Sequence, residues 1–193
     1  MAAGRVRTGF SLPYVALYSA TGTVITYSNG QRLARGVSVS IEAEAEDDNI
    51  FYADNISAES APGIFTSGTA TLTVDGLHLE AERLIMGLPA ADTEGFVHYG
   101  ENMTIPYVGI GFIVRYMSEG VTTYVPVILR KCRFVTPGED AATATETIDW
   151  QTQELTASLL RDDTANHDWK WVGEGQTTET AAEAKIKAVF AIS

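Results

Sequence analysis

Carboxylates spaced two residues apart are the side chains of this chain with the clearest chemical potential. Glu42, Glu44 and Glu46 alternate with alanines at the end of the stretch 36–46, and no Lys or Arg follows them before Arg83. Side chains two apart lie on one face of a β-strand, and charged neighbours repel unless water separates them. The pattern therefore predicts a strand whose acidic face meets solvent or a water-filled space. Its other face carries Val37, Val39, Ile41, Ala43 and Ala45.

Carboxylate pairs also perform acid–base catalysis, and the acids between Glu42 and Asp54 are the available source here. A retaining glycosidase holds its two carboxyl groups about 5 Å apart, and an inverting one holds them farther apart. No aromatic cleft signature accompanies these acids, so a hydrolase is the weakest of the functional interpretations. The run from Asp47 to Asn55 offers oxygen ligands for Ca²⁺, but its spacing does not match an EF-hand loop, and a solvated turn explains it better.

Other catalytic and cofactor motifs are weak or missing in the sequence. His78, His98 and His167 have no neighbours at metal-ligand spacing, and no Gly-x-Ser-x-Gly elbow is present. Gly109-Ile110-Gly111 lacks the third glycine of a dinucleotide loop and lies within a strand pattern, where close backbone packing or a bulge explains it better. We therefore expect no catalytic residue, no cofactor and no bound metal, and we expect that the protein is not an enzyme.

The one dense group of cations in the sequence surrounds its single cysteine, Cys132. Arg130, Lys131 and Arg133 would suit a phosphate, but pairing with acids of the same protein or of a second copy fits the acidic composition better. Neighbouring cations can activate a thiol, yet Cys132 is better explained as a small apolar residue in a strand. A single cysteine forms no internal disulfide, so the expected fold does not depend on an oxidising compartment.

Composition narrows the class of protein further. A length of 193 residues suggests one domain that can bury a core without disulfides or metals. The formal net charge of −12 argues against direct affinity for nucleic acid, although it suits a surface that must repel it. The sequence contains no apolar run long enough for a membrane span, and no apolar segment follows Arg5 and Arg7, so we expect neither a span nor a secretory signal.

Hydrophobic periodicity and turn signals place these residues on elements. Period-two alternation predicts a mainly β or α+β protein built on an antiparallel β-sandwich. A helical period closed by Gly87 and Pro89 predicts one flanking internal helix at 77–87, and Thr178 is placed to cap a short C-terminal helix. The main strands are expected at 13–18, 36–46, 69–75, 107–116, 122–135, 155–160 and 169–172.

The same patterns predict a single domain over residues 1–193. Residues 1–12 show little periodicity and are expected to form an N-terminal arm. The β-sandwich core is expected at 13–172, followed by a C-terminal helical arm at 176–193.

Three tryptophans lie in the last third of the chain, at 150, 169 and 171. Trp169 and Trp171 alternate, so they are expected to point to the same side of a strand. They suit either a core or an interface anchor, and both interpretations remain open at this point. Exposed together on a concave face, they would indicate the alternative function, a carbohydrate- or receptor-binding β-sandwich module.

The order of several motifs resembles that of the major tail proteins, or tail tube proteins, of long, non-contractile-tailed bacteriophages. Tyr14 to Tyr18 resembles the opening strand of that family, and Phe51-Tyr52-Ala53-Asp54-Asn55 is similar to its recurring Leu-Tyr-Ala-Asp-Asp. Residues 69–87 are similar to its threonine-rich strand ending in Asp-Gly-Leu before a helix. Further motifs follow in the family's order at 106–112, 134–137, 143–147, 155–160 and 169–171.

The resemblance extends from about residue 12 to about residue 190, with Asn55 where the pattern often has Asp and no matching equivalent for the loop 90–105. It implies a tail-tube subunit. In that family β-sandwich subunits form homohexameric rings whose sheets join around a lumen, and the rings stack into a tube that conducts DNA from capsid to host.

The resemblance also implies partners and a location. The partners would be further copies of the chain, a tape measure protein, a tail terminator and distal tail proteins. DNA would pass through the lumen without specific binding, and no membrane would be involved. The implied location is the virion tail, assembled in the host cytoplasm.

Two sets of site residues follow from this interpretation. We expect Glu42, Glu44 and Glu46 to face the lumen, because an acidic surface keeps phosphate from sticking. We expect residues 1–12 and the loop 90–105 to contact the next ring. Contacts between subunits are expected at Phe51, Tyr52, Asp54, Trp169 and Trp171.

Overall fold

The computed structural model describes residues 4–53, 56–61, 63–101, 103–138, 143 and 150–192, with backbone alone for those between 49 and 61. In this part the chain is mainly antiparallel β structure with two helices, which confirms the predicted fold class. The strands are β1 (Val6–Thr21), β2 (Val24–Arg32), β3 (Gly36–Ala45), β4 (Asn49–Ala53), β5 (Ile56–Ala61), β6 (Phe65–Val74), β7 (Val108–Ser118), β8 (Val121–Phe134), β9 (Gln153–Leu160) and β10 (Lys170–Val172). The helices are α1 (Leu79–Met86) and α2 (Glu179–Val189).

Eight of the described strands form one sheet in the order β2-β1-β7-β8-β9-β6-β3, with β10 also paired to β8. Every described pair of neighbouring strands is antiparallel. β4 and β5 form a separate hairpin that continues the β3–β6 hairpin, and the N–H of Glu46 donates to the carbonyl of Ile64 at the junction (3.0 Å). The predicted β7–β8 hairpin is confirmed, with Glu119 and Gly120 at positive φ in its turn.

The long strand β8 joins two layers of this sheet. Its first part pairs with β7 and β10, and its last part, Lys131–Phe134, pairs with β9. One layer therefore contains β2, β1, β7 and the start of β8, and the other contains the end of β8, β9, β6 and β3. Side chains from both layers meet in one buried core, which is the architecture of a sandwich. The largest of these core side chains are Phe112, Phe134, Leu33, Leu72, Ile110, Leu129, Leu155 and Leu159.

Helix α1 packs against this core through three of its side chains, Ala81, Ile85 and Met86. It confirms the internal helix predicted at 77–87, with each end slightly shorter. Gly87 follows it in the left-handed conformation at φ 66°, and the Gly87 N–H donates to the carbonyl of Arg83. His78 precedes the helix as an exposed residue and makes no side-chain cap hydrogen bond.

Helix α2 covers the outer face of the first layer. The Thr178 hydroxyl accepts a hydrogen bond from the Ala181 N–H (3.2 Å), which confirms the predicted cap. Ile186 and the following Phe190 are fully buried against β7. A Cβ atom on Gly111 would meet Ile186 at 2.6 Å, and one on Gly109 would meet Phe190 at 2.9 Å. The two glycines therefore permit α2 to pack closely on β7, which is the close backbone packing predicted for Gly109-Ile110-Gly111.

The N-terminal arm predicted at 1–12 is corrected by the structure over residues 6–12. Residues 6–12 belong to β1 and pair with β7, from Val6 opposite Met117 to Ser11 opposite Ile113. The pairing was missed because alternation is interrupted by bulges in this segment, where the register shifts. The short C-terminal helix predicted within 176–193 is confirmed as α2, and its apolar side is buried on the sheet.

Candidate assembly surface

The outer face of the second layer is polar and carries no helix in the described part of the chain. Cross-strand register aligns its side chains in rows: Glu42 lies opposite Thr69, and Thr69 lies opposite Ser158. The inward rows are apolar, as where Ile41, Ala70 and Ala157 face one another. Three outward rows of hydroxyl and carboxylate side chains therefore cross β3, β6 and β9, and a fourth, Glu44 opposite Ser67, crosses β3 and β6. The polar face consists of Ser38, Ser40, Glu42, Glu44, Ser67, Thr69, Thr71, Thr73, Glu154, Thr156 and Ser158.

Hydrogen bonds within the polar face join neighbouring strands. The Ser38 hydroxyl donates to Thr73 Oγ1 (2.9 Å), and the Ser67 hydroxyl donates to Glu44 Oε2 (2.8 Å). Glu42 and Glu44 are exposed, and neither forms an ion pair within the described residues. The face is thus a wet, negatively charged surface without aromatic side chains.

The spacing of the three acids is visible in the sequence, whereas the rows of hydroxyl groups beside them depend on which strands are neighbours. The structure places Glu42 and Glu44 on the polar face, as their spacing predicted, and Glu46 just beyond the end of β3, where it is also exposed. The alternation in β9, where Leu155, Ala157 and Leu159 point inward, was a sufficient local signal for its outward Thr and Ser. Which strand lies beside which is non-local information, and that decided the composition of the face.

The predicted apolar face of β3 is only partly correct. Val39 and Ile41 are half-buried against the core, but Val37 is 55% exposed. The register shifts between Gly36 and Ser38, so Val37 lies in a bulge rather than in the regular ladder. Ala43 is exposed as well, so the inner face of β3 loses its cover toward the strand's end.

The described sheet ends at β3 on one side and at β2 on the other, so each has one edge without a paired strand there. Beside β3 the two layers separate and leave a groove of about 530 Å³. Its floor is apolar, with Phe10, Phe112 and Ile41 among the lining residues, and Arg7 and Lys170 also line it. An edge strand next to an apolar groove is a surface that a further strand can complete.

The two tryptophans do not share one side, which corrects the prediction from their alternation. Trp169 precedes β10 and stacks on Phe65 with ring centroids 4.6 Å apart, packed against the main core. Trp171 lies opposite Ile128 on the side of α2, with its ring 3.6 Å from the guanidinium carbon of Arg130. These two residues therefore form no common aromatic platform, and the glycan-binding alternative loses its main support.

Two of the other predicted contact residues, Phe51 and Tyr52, lie on the β4–β5 hairpin. The backbones of Phe51 and Tyr52 belong to β4, opposite Glu59 and Ser57. Asp54 lies outside the described residues, so its predicted role is not addressed by the structure. Trp150, the third tryptophan in the last third of the chain, is strongly exposed.

Two of the three cations in the basic cluster, Arg130 and Lys131, pair with acids of the same chain, as expected. Arg130 Nε donates to Asp162 Oδ2 (2.9 Å), and both side chains are almost fully buried. Lys131 Nζ donates to Asp163 Oδ2 (2.7 Å), where the Tyr18 hydroxyl also donates (2.6 Å). These pairs attach the segment between β9 and β10 to β8.

Burial raises the pKa values of two groups near these ion pairs, Tyr18 and Cys132. Burial, with the hydrogen bond to Asp163, raises the pKa of Tyr18 to about 12. Cys132 is fully buried, and burial raises the pKa of its thiol, so it is an inert core residue as predicted. The carboxylate of Asp163 has a lowered pKa because Lys131 and Tyr18 hydrogen-bond to its charged form.

The histidines and acids form no group of three or more potential metal ligands among the described residues. His98 Nε2 lies 2.8 Å from Asp92 Oδ2. The Asp92 carboxylate also accepts hydrogen bonds from the N–H groups of Glu94 and Phe96, and these contacts hold the surface loop 92–98 together. No described helix is both long and apolar enough to cross a membrane. No protein-family model matches the chain, and no curated protein matches it.

Proposed function

We propose that this chain is the structural subunit of a phage tail tube. It would assemble into stacked hexameric rings around a negatively charged lumen that conducts DNA from the capsid to the host during genome ejection. The motif order described above supports the family, and the observation that carries the function is the polar face of β3, β6 and β9. One sandwich layer has its outer face covered by α2, whereas the other presents hydroxyls and carboxylates to water.

The chemistry of the polar face suits a conduit for DNA. Phosphates bind proteins mainly through Lys and Arg, and no residue of the polar face is a cation. Glu42 and Glu44 repel phosphate, while Ser and Thr keep the wall hydrated without offering charge to it. Six copies at −12 each would give a ring a formal charge of −72 (6 × −12). DNA would therefore slide past this wall rather than adhere to it.

The open side of the sandwich supplies a means of assembly. A ring needs a head-to-tail contact in which two different surfaces of the subunit meet and the rotation closes. The edge of β3 that pairs with no described strand, next to the groove lined by Phe10 and Ile41, is one such surface. Pairing there would extend the polar face from one subunit into the next and would remove an edge prone to uncontrolled pairing.

The test is site-specific labelling before and after assembly. Ser158→Cys places a thiol on the polar face, and Ala184→Cys places a matched exposed thiol on α2. Cys132 is buried and contributes little background. Negative-stain microscopy of the concentrated protein should show hollow tubes. In those tubes a bulky polymer-linked maleimide should label Ala184→Cys but not Ser158→Cys, whereas both should react in the free subunit.

Two results would contradict the proposal. One is equal labelling of both thiols by the bulky reagent in assembled tubes, since the polar face would then lie outside. The other is a protein that never forms closed, hollow assemblies.

A further inference from the structure

Three arginines lie at one end of the first layer, where β1 meets the tip of the β7–β8 hairpin: Arg5 and Arg7 on the face that carries Tyr116, and Arg115 on the opposite face. Arg7 Nε donates to the Tyr116 hydroxyl (3.3 Å), and the Arg5 guanidinium carbon lies 5.0 Å from the centre of the same ring. Arg115 Nη2 donates to the carbonyl of Thr8 (3.2 Å). All three arginines are exposed. A local concentration of cations is thus built into a chain whose net charge is −12.

These arginines have no carboxylate partner within the described residues. Arg83, Arg130 and Lys131, by contrast, each reach a carboxylate within 2.9 Å. Glu119 in the hairpin turn is the nearby acid by sequence, and it forms no described ion pair with them. The three guanidinium groups therefore remain available to an acidic partner.

Exposed apolar side chains surround the same arginines. Val6 is 66% exposed, Met117 is 42% exposed and Val121 is 66% exposed. Val6 lies directly opposite Met117, and Val121 lies opposite Ser118 at the turn. Arg and Met mixed with apolar residues are typical of protein interfaces. We name this surface the basic tip: Arg5, Val6, Arg7, Arg115, Met117 and Val121.

A complementary surface occurs on the same chain. Glu46, Asp47 and Asp48 follow the end of β3 as consecutive exposed acids. Asp48 Oδ1 accepts the Gly63 N–H (3.0 Å), which anchors the turn, while no described ion pair neutralises any of the three. We name Glu46, Asp47 and Asp48 the acid run.

We propose that the basic tip of one copy docks on the acid run of a second copy. The partner is a second copy because the chain carries both complementary charges and no described ion pair joins them within one subunit, so each remains available to another copy. This inference rests on the proposed function, since the contact would join subunits of the tube. Duplex DNA is the competing partner for three arginines, and the test distinguishes it.

The test reverses one charge on each surface and then mixes the variants. Arg7→Glu should weaken assembly because it lowers the formal charge of the tip from +3 to +1, and Asp47→Lys should weaken it because it changes the formal charge of the run from −3 to −1. A mixture of the two should assemble again, since each variant restores the contact with the other. Light scattering and sedimentation would measure the concentration for half-assembly, which should rise at least about ten-fold for each single variant.

Lys185→Glu on α2 is the matched control, because it makes the same charge change at an exposed cation away from both surfaces. It should assemble like the wild type, and circular dichroism should show that all variants are folded. A duplex oligonucleotide added to the free subunit should bind neither the wild type nor Arg7→Glu.

The outcomes separate this inference from the proposed function. Hollow wild-type tubes that Arg7→Glu forms equally well would overturn the inference and leave the function standing. Salt-sensitive oligomers that are not hollow, but whose assembly recovers when Arg7→Glu and Asp47→Lys are mixed, would support the inference and overturn the proposed function. DNA binding that depends on Arg7, without an effect on assembly, would assign the tip to nucleic acid and overturn the inference.

Discussion

Removing Asp162 should destabilise the protein strongly, because it leaves a buried guanidinium without its counter-charge. The Arg130 and Asp162 side chains are 5% and 0% exposed, and their N···O distance is 2.9 Å. Asp162 also accepts the Thr164 N–H (3.0 Å) and the Thr164 hydroxyl. Breaking a buried pair by deleting one partner costs about 3–5 kcal/mol. The ring of Trp171, 3.6 Å from the guanidinium, offsets part of this cost and favours the lower end.

The assay is thermal and urea unfolding of Asp162→Ala followed by circular dichroism. For a domain of this size the expected loss corresponds to a fall in Tm of about 6–20 °C. Arg130→Met combined with Asp162→Ala should recover part of the stability, because no uncompensated charge remains buried. Glu80→Ala is the control: it removes an ion pair of the same 2.9 Å length whose carboxylate is 72% exposed. Its cost should stay below about 1 kcal/mol.

The reasoning would be refuted if Asp162→Ala lost no more stability than Glu80→Ala. It would also be refuted if the loss of stability in the double variant equalled the sum of the losses in Arg130→Met and Asp162→Ala measured separately. In either case burial would not explain the contribution of the Arg130–Asp162 pair to the free energy of unfolding.

Two further predictions concern packing and acid stability. Gly111→Ala should lower the free energy of unfolding by about 1–3 kcal/mol in urea, because its Cβ would meet Ile186 at 2.6 Å. Gly100→Ala is the control and should be close to neutral, since its Cβ would meet nothing within 4 Å. Equal losses of stability in the two variants would contradict the packing argument. Because Lys131 and Tyr18 lower the pKa of Asp163 in the folded state, the stabilisation is present above the ordinary carboxyl range and is lost as pH falls through the lowered pKa. The stability difference between wild type and Lys131→Met should therefore shrink below about pH 4, and a difference independent of pH would refute it.

Local patterns were sufficient for several of the elements. Side chains two apart share a strand face, so β6 and β9 were identified by alternation, and the Thr178 cap and the Gly87 end were identified from single residues. The β7–β8 hairpin was identified because its turn lies between its own two strands. Each of these rules joins residues close in the chain, and that explains their success.

Long-range pairing was decided by tertiary structure alone. Arg130 and Asp162 lie 32 residues apart, and nothing in either neighbourhood names the other as its partner. Residues 6–12 became a strand only because β7 offered an edge, and bulges hid their alternation. Trp169 and Trp171 were separated because Trp169 lies before β10 rather than within it.

The sequence by itself determined the acidic strand, the strand-rich class, the two helices and the inert cysteine, because period, capping and composition act over a few residues. Tertiary structure decided that the hydroxyl rows of β6 and β9 lie beside Glu42 and Glu44, and that β3 stands at the edge of the described sheet. A surface of this kind is a property of strand order, since it joins side chains more than 100 residues apart, such as Glu42 and Ser158. Strand order is set by the sum of core contacts across the whole chain, which no local pattern records.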